Sequence, residues 1–374
     1  MKKLGFGTMR LPVLNPEDAK SIDYDQVSQM VDLFLENGFT YFDTAYPYHG
    51  ETSELAVREC LVKRYPRDAY VLADKMPILR IFKNSEYAYY FEDQLKKCGV
   101  DRFDYYLLHN VGRDRYDRTV EAGGFDFLRR VKEEKMAGRV GFSFHDSPEL
   151  LEEILEKYPF VDFVQLQINY LDWDSNVIAS GRNYELCKKY GKPVVVMEPV
   201  KGGKLASLPE EAEAVLRRID PKASIASYAI RFAASLDNVM MVLSGMSNLD
   251  QMKDNLSYMR DFRPLGDEEQ AALREVTQIL KASKEIPCTS CGYCMEVCPK
   301  NIHIPAYFGL YNQYQTVGSM SNMYYERAVK DHGKARDCIH CGLCEKNCPQ
   351  HLPIRELLER FAELYREQEE RFSS

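Results

Sequence analysis

Eight short apolar runs, each followed by an amphipathic stretch, repeat along residues 1–260. The runs are KLGFGTMR (3–10), TYFDTA (40–45), YVLADK (70–75), FDYYLLH (103–109), RVGFSF (139–144), VDFVQLQ (161–167), PVVVMEP (193–199) and VMMVLSG (239–245). Near-continuous hydrophobicity of this kind marks strands buried on both faces, as in a parallel sheet covered by helices. The intervening DQVSQMVDLFLENG sets Val27, Met30, Val31, Phe34 and Leu35 on one helical face, with Gly38 placed to cap its end. Eight strand–helix units fit a closed (β/α)8 TIM barrel. An open doubly wound sheet would show a Gly-rich phosphate turn after its first strand, and GFGTMR lacks both the third glycine and a helix start. The barrel is the expected fold.

The last hundred residues follow a different logic. CTSCGYCMEVCPK (288–300) and CIHCGLCEKNCPQ (338–350) both read C-x2-C-x2-C-x3-C-P. In such runs the first three thiolates converge on one cubane, and the fourth, before proline, ligates the other cluster. Zinc sites mostly pair C-x2-C motifs across a long gap, and two complete copies of this spacing favour iron. The expected ligand sets are Cys288, Cys291, Cys294 with Cys348, and Cys338, Cys341, Cys344 with Cys298, holding two [4Fe–4S] clusters. The tail resembles bacterial-type two-cluster ferredoxin modules over about residues 285–355, though 39 residues separate Cys298 from Cys338. The fold class expected is therefore α/β: a barrel domain over 1–275, then a small, mostly helical ferredoxin-like iron–sulfur domain over 276–374. A final amphipathic helix, carrying Ile354, Leu357, Leu358, Phe361, Leu364 and Tyr365 at helical spacing, should pack on its own domain or the barrel wall. Cys60, Cys98 and Cys187 lie elsewhere without spacing partners and read as inert buried thiols.

Net charge is −8, which gives nucleic-acid or membrane-surface binding no bulk electrostatic support. No apolar run reaches membrane-spanning length and the N-terminus has no apolar signal region, so a soluble, cytoplasmic protein is expected.

Catalytic residues of such a barrel should stand at the C-terminal ends of several strands. Those ends carry Asp43, Lys75 and His109, with Tyr48 on the loop beyond Asp43. The stretches DTAYPY, GETSE, ADK and DYYLLHN, in this order, resemble the aldo/keto reductase family over about residues 1–260. The resemblance implies that Asp43, Tyr48, Lys75 and His109 act as a catalytic set on a small carbonyl or alcohol substrate. The chemistry is coherent on its own. Hydride addition to a carbonyl leaves an alkoxide that needs a proton, and a free tyrosine, with a pKa of about 10, holds its proton tightly. An ammonium beside it should lower that pKa, and a carboxylate behind should fix the lysine. Tyr48 is thus the expected acid/base, Lys75 its tuner, Asp43 the anchor, and His109 the donor to the carbonyl oxygen.

The resemblance also implies a nicotinamide nucleotide, NAD(P)H, lined by Thr8, Met9, Asp43, Ser143, Gln165, Met197, Pro199, Lys201, Ser244, Gly245, Ser247, Gln251 and Asn255. Three departures stand out. Met197 replaces the family's aromatic stacking residue. Ser143–Phe144 replaces its Ser–Asn pair, losing one amide contact to the carboxamide. Gly245 and Gln251 stand where a lysine and an arginine usually meet the 2′-phosphate, which leaves Lys201 and Lys204 as the cationic candidates. Nicotinamide moves two electrons and a cubane normally one, so a flavin is a further candidate mediator. Three readings follow. The first is a reductase or dehydrogenase with electrons linked to the clusters and nicotinamide or flavin in the barrel, for which a redox partner protein is a candidate. The second is a hydride-only reductase with structural or redox-sensing clusters. The third is an electron-transfer or interaction protein with a vestigial barrel site.

Overall fold

The computed structural model describes residues 2–175, 178–282, 285–317, 325, 328–329 and 331–373. The chain forms two compact units, one of residues 1–200 and 205–277, the other of residues 278–374 together with the short segment Lys201–Lys204.

The first unit is a closed barrel of eight parallel strands in sequence order. They are β1 (Leu4–Gly7), β2 (Tyr41–Asp43), β3 (Val71–Met76), β4 (Phe103–Val111), β5 (Ala137–Phe144), β6 (Phe163–Gln167), β7 (Val194–Met197) and β8 (Val239–Ser244). Each of the eight apolar runs supplies one strand. The barrel interior is filled by Tyr41, Ala73, Tyr105, Leu107, Phe163, Val195, Met241 and Leu243, all buried, so the lumen is a packed core and not a channel. Close approach of β5 to β6 requires Gly141, where an added Cβ would fall 2.3 Å from the Phe163 carbonyl oxygen. The outward strand faces are covered by helices. In Tyr24–Glu36 the residues Val27, Met30, Val31 and Phe34 are buried, Asp23 caps the start by accepting from the Gln26 amide, and Gly38 follows the end at φ 76°.

The second unit is mostly helical, and its two cysteine runs repeat one backbone path. Ser290 and His340, Gly292 and Gly342, and Asn301 and His351 each adopt left-handed φ at matching stations. Short helices follow at Tyr293–Glu296 and Leu343–Lys346. Glycine before each short helix suits that conformation, which costs other residues roughly 1–2 kcal/mol. The closing helix Ile354–Ser373 buries Ile354, Leu358, Phe361 and Tyr365 in the core of its own unit. Phe361 lies 5.1 Å from Tyr307, centroid to centroid. Cys60, Cys98 and Cys187 are buried in the barrel unit. Among the described residues no helix is long and apolar enough to cross a membrane.

Candidate functional site

Parallel strand direction brings the ends of β2, β3 and β4 to one mouth, and with them Asp43, Lys75 and His109. Lys75 is fully buried, its ammonium 2.5 Å from Asp43 Oδ1 and 2.7 Å from the Thr44 carbonyl oxygen. The Tyr48 ring lies beside this pair, its centroid 4.8 Å from Lys75 Nζ. His109 meets the same ring edge to face, at 5.8 Å and 84°. The four residues therefore form one contiguous group. Tyr48 stands in the turn Tyr48–Glu51, which contains left-handed His49 and Gly50. That turn is tied down. Thr8 Oγ1 donates to the Asp43 carbonyl, the Ser53 hydroxyl lies within hydrogen-bond distance of both Thr8 and Thr44, and His49 Nε2 accepts from the Leu11 amide. His49 Nδ1 must then donate to the Ala19 carbonyl, which fixes a neutral tautomer, in line with burial lowering its pKa.

Burial presses Asp43 above the ordinary carboxylate range, and the charge and hydrogen bond of Lys75 hold it back. His109 is pushed well below the ordinary histidine value by burial and by Lys75, so it is neutral. Tyr48 departs from the sequence expectation. Burial, reinforced by Asp43 and Glu198, raises its hydroxyl well above the ordinary tyrosine value. Desolvation outweighs the nearby ammonium, and Tyr48 stands as a protonated phenol.

Behind β3 lies a layer the sequence reading missed. Asp74 and Glu54 are fully buried on the helix-facing side. Asp74 accepts from the Lys75 amide, while Gln94 donates to both Glu54 and the Lys75 carbonyl, and Tyr106 donates to Gln94 at 2.6 Å. Burial and the adjacent Glu54 raise Asp74 well above the usual range, and it holds a proton. The network grips the Lys75 backbone from both sides. Strand alternation would have flagged it: an acid beside Lys75 on a strand covered by helices must face the helix layer.

Of the nucleotide-lining residues, Ser143 and Gln165 face each other across β5 and β6. Ser143 Oγ accepts from the Asn110 amide at 2.7 Å. Gln165 Oε1 is buried without a hydrogen-bond partner, and so are both amide atoms of Asn110. Asn110 sits next to His109 at φ 63°, where β4 shifts register, and sequence reasoning passed over it. An amide-bearing ring, donor and acceptor together, matches such orphaned groups. Ser244 donates to Asn255 at 2.7 Å, and Gln251 accepts from the Ser247 amide at 2.7 Å. Thr8 is buried and Met9 half-buried beside β1, and Met197 accepts a weak bond from Gln165 Nε2. Pro199 is buried just past β7. Arg10 lies across Gly245, with side-chain carbons 3.5 Å from where a Cβ there would fall, and is a cation the sequence reading overlooked. Lys201 and Lys204 differ from expectation. They belong to the second unit, where Lys201 Nζ donates to Gln350 and Lys204 Nζ to the Ile286 carbonyl, both at 2.8 Å. Gly202 and Gly203 turn the segment at φ 66° and 99°, with Gly202 close against Thr289.

In the second unit Cys288, Cys291, Cys294 and Cys348 line one cavity, and Cys298, Cys338, Cys341 and Cys344 line another. Each tetrad thus combines three cysteines of one run with the fourth of the other. Among the described residues no three His, Cys, Asp or Glu side chains converge tightly enough for a single metal ion. Four sulfurs around a cavity suit a multi-iron cluster instead. The Ser290 amide donates to Cys288 Sγ at 3.4 Å and the Ile302 amide to Cys298 Sγ at 3.5 Å, as expected around thiolates.

Eight parallel strands with an ion-paired lysine, a phenol and a neutral histidine at the mouth define an oxidoreductase-type barrel. The family model described as aldo/keto reductase family matches residues 3–278, and the chain belongs to that family. A second model, described as a 4Fe-4S dicluster domain, matches residues 287–352. Among solved structures the chain is similar to the holo form of aldo-keto reductase AKR11C1 from Bacillus halodurans, at 24% identity and TM-score 0.60, covering 73% of this chain and 91% of that one. It is also similar to the thermostable aldo-keto reductase Tm1743 in complex with epalrestat, at 22% identity and TM-score 0.59, covering 73% and 94%. A third is an aldo-keto reductase from Klebsiella pneumoniae in complex with NADPH, at 19% identity and TM-score 0.59, covering 74% and 90%. Likeness at this identity speaks for the fold. No curated protein matches the chain. Family and fold together make the protein an oxidoreductase with an iron–sulfur domain.

Proposed function

We propose that the protein reduces a small carbonyl substrate with NAD(P)H, or oxidises the matching alcohol, and that two [4Fe–4S] clusters in residues 276–374 exchange electrons with the barrel of residues 1–275. The observation that carries the reading is the buried Asp43–Lys75 pair against Tyr48, with His109 on the same ring. Bound nicotinamide would supply the hydride. Ser143, Gln165 and Asn110 would hold its carboxamide, with Asn110 making good the amide that Phe144 withdraws. Neutral His109 donates to the carbonyl oxygen and orients it. Tyr48, held protonated by burial, gives the oxygen its proton as charge develops there. Lys75 stabilises the phenolate left behind, and Asp43 with the Thr44 carbonyl keeps that ammonium in place. A bound iron–sulfur cluster would supply one-electron storage, and two of them match the two electrons of one hydride. The NADPH complex of the Klebsiella pneumoniae relative supports the cofactor class.

One observation favours the second reading, in which the clusters are structural. Cys294, Cys344 and Cys348 belong to the hydrophobic core of their unit, so iron bound there would also staple it. Anaerobic titration with NADH and, separately, NADPH decides between the two. Bleaching of the visible absorbance, with an EPR signal appearing without mediator, is expected. Turnover of a test aldehyde with unbleached clusters would establish the structural reading, and bleaching only with added flavin would make flavin the mediator.

A further inference from the structure

Strand β2 ends before the residue that most depends on it. Its pairing with β3 stops at Asp43 opposite Ala73, while β4 runs on beside β3 to Met76. The Val71 amide bonds to Thr40 and the Ala73 carbonyl to Thr44, both on the β2 side. Backbone groups in a parallel strand alternate between its two neighbours, so the amide and carbonyl of Lys75 point the same way, past the end of β2. Buried backbone groups need partners, and here side chains take the place of a strand. Asp74 Oδ1 accepts from the Lys75 amide at 2.8 Å, and Gln94 Nε2 donates to the Lys75 carbonyl at 3.0 Å.

The two substitutes are themselves locked. The Tyr106 hydroxyl donates to Gln94 Oε1, which turns Nε2 toward both the Lys75 carbonyl and Glu54 Oε1. Glu54 Oε2 is buried, and Lys97 stands off from it at 3.5 Å. Asp74 and Glu54 are hydrogen-bonded side chain to side chain. Two carboxylates have no donor between them, so that bond requires one proton. Gln94 and Lys97 favour the charge on Glu54, which leaves the proton to Asp74. The other polar groups here are Cys98, whose Sγ lies 3.7 Å from Asp74 Oδ2, and Asp93 and the Tyr46 ring, which meet Lys97 at 3.3 and 3.7 Å. With one proton the Asp74–Glu54 pair carries a single negative charge beside the Lys97 ammonium. Asp43 and Lys75 form the matching pair on the opposite face of β3.

We propose that Asp74 and Gln94 are positioning residues for Lys75, standing in for the strand that β2 does not supply, and that one proton held between Asp74 and Glu54 keeps this clamp closed. The proposal rests on the reading that Lys75 stabilises the Tyr48 phenolate in carbonyl reduction. The peptide of Lys75 is the root of that side chain. A clamp on its amide and carbonyl fixes where the ammonium meets Asp43, Thr44 and Tyr48.

The test compares two substitutions in the holoprotein. Asp74→Val removes both the acceptor and the donor. Asp74→Asn restores both, since its Oδ1 can accept from Lys75 and its Nδ2 donates to Glu54 at every pH. In aldehyde reduction Asp74→Val should lower kcat about tenfold or more and leave KM within about twofold, because small misplacement of a catalytic group is felt in the chemical step. Asp74→Asn should recover most of that loss. The pH at which alcohol oxidation climbs should move upward in Asp74→Val and not in Asp74→Asn, because a displaced ammonium holds the phenolate less well. At neutral pH the native protein should show a carboxylic-acid carbonyl band in the infrared that Asp74→Asn lacks. Native kcat in Asp74→Val would overturn the proposal, and so would an Asp74→Asn protein as impaired as Asp74→Val. Identical carboxylic-acid bands in native protein and Asp74→Asn would remove the shared proton. Should Asp74→Val fail to fold, the infrared difference decides. That difference needs no substrate, so a protein that reduces no carbonyl would sink the proposed reaction while the clamp is still judged on its own.

Discussion

The barrel mouth and the cysteine unit solve the problem of burying ionisable groups in opposite ways. At the mouth Lys75 meets its counter-charge in Asp43, and behind β3 Asp74 keeps its proton. In the cysteine unit four thiols crowd each cavity, and burial, then the Glu345 carboxylate and the neighbouring Cys338 and Cys298, push Cys344 up to about 11. No side chain there supplies the positive charge four thiolates require, among the residues lining the first cavity. A bound iron–sulfur cluster would supply that charge, beyond what Lys204 offers Cys288. One unit is therefore complete as a folded chain, and the other is completed by what it binds.

Removing iron tests this contrast most severely. Anaerobic chelation should raise hydrogen exchange throughout residues 285–365 while the strands β1 to β8 keep their protection; equal loss in both units would erase the distinction. Cys298→Ala sharpens it, since the crossed tetrads predict loss of the EPR signal of the cluster on Cys338, Cys341 and Cys344 first. At the mouth, Tyr48→Phe should lower kcat/KM for carbonyl reduction about 10²–10⁴-fold with melting temperature and iron content unchanged. The raised Tyr48 hydroxyl adds a pH signature. Reduction, which needs the phenol, should stay flat through neutrality, and alcohol oxidation, which needs the phenolate, should climb with pH beyond it. Lys75→Met leaves the Asp43 carboxylate buried without its partner and should cost about 3–5 kcal/mol of barrel stability, read by denaturant unfolding. The smallest effect belongs to Asp74. Its folded-state pKa is raised, so the unfolded chain releases this proton first and native stability falls as pH rises above about 4. Asp74→Asn should flatten that decline relative to the native protein; parallel stability curves from acid to neutral pH would show that Asp74 is already ionised.

Strand order and the four mouth residues were legible because strand ends are marked by hydrophobic period, and Asp43, Lys75 and His109 each close an apolar run. The grouping of the cysteines was legible because the spacing within each run is local. What escaped was set by contacts distant along the chain or by burial depth. The lysine of VKGGK looked like a phosphate ligand until its bond to Gln350, 149 residues away, was seen. Glu54 and Gln94 meet 40 residues apart, which no periodicity reports. The upward push on Tyr48 depends on how completely water is excluded around it, a quantity the one-dimensional pattern of charges does not contain.

The segment Lys201–Lys204 leaves the barrel sequence after β7 and is folded into the other unit. A cut after residue 277 would not give a clean barrel, because Lys201, Gly202 and Lys204 would be left shaped for surroundings that had gone. The same holds over evolutionary time. Exchange of the tail alone, by recombination near residue 277, would join a foreign cysteine unit to a loop cut for this one. A foreign tail would have to come with its own version of Lys201–Lys204, some eighty residues upstream of the join, to be held as this one is.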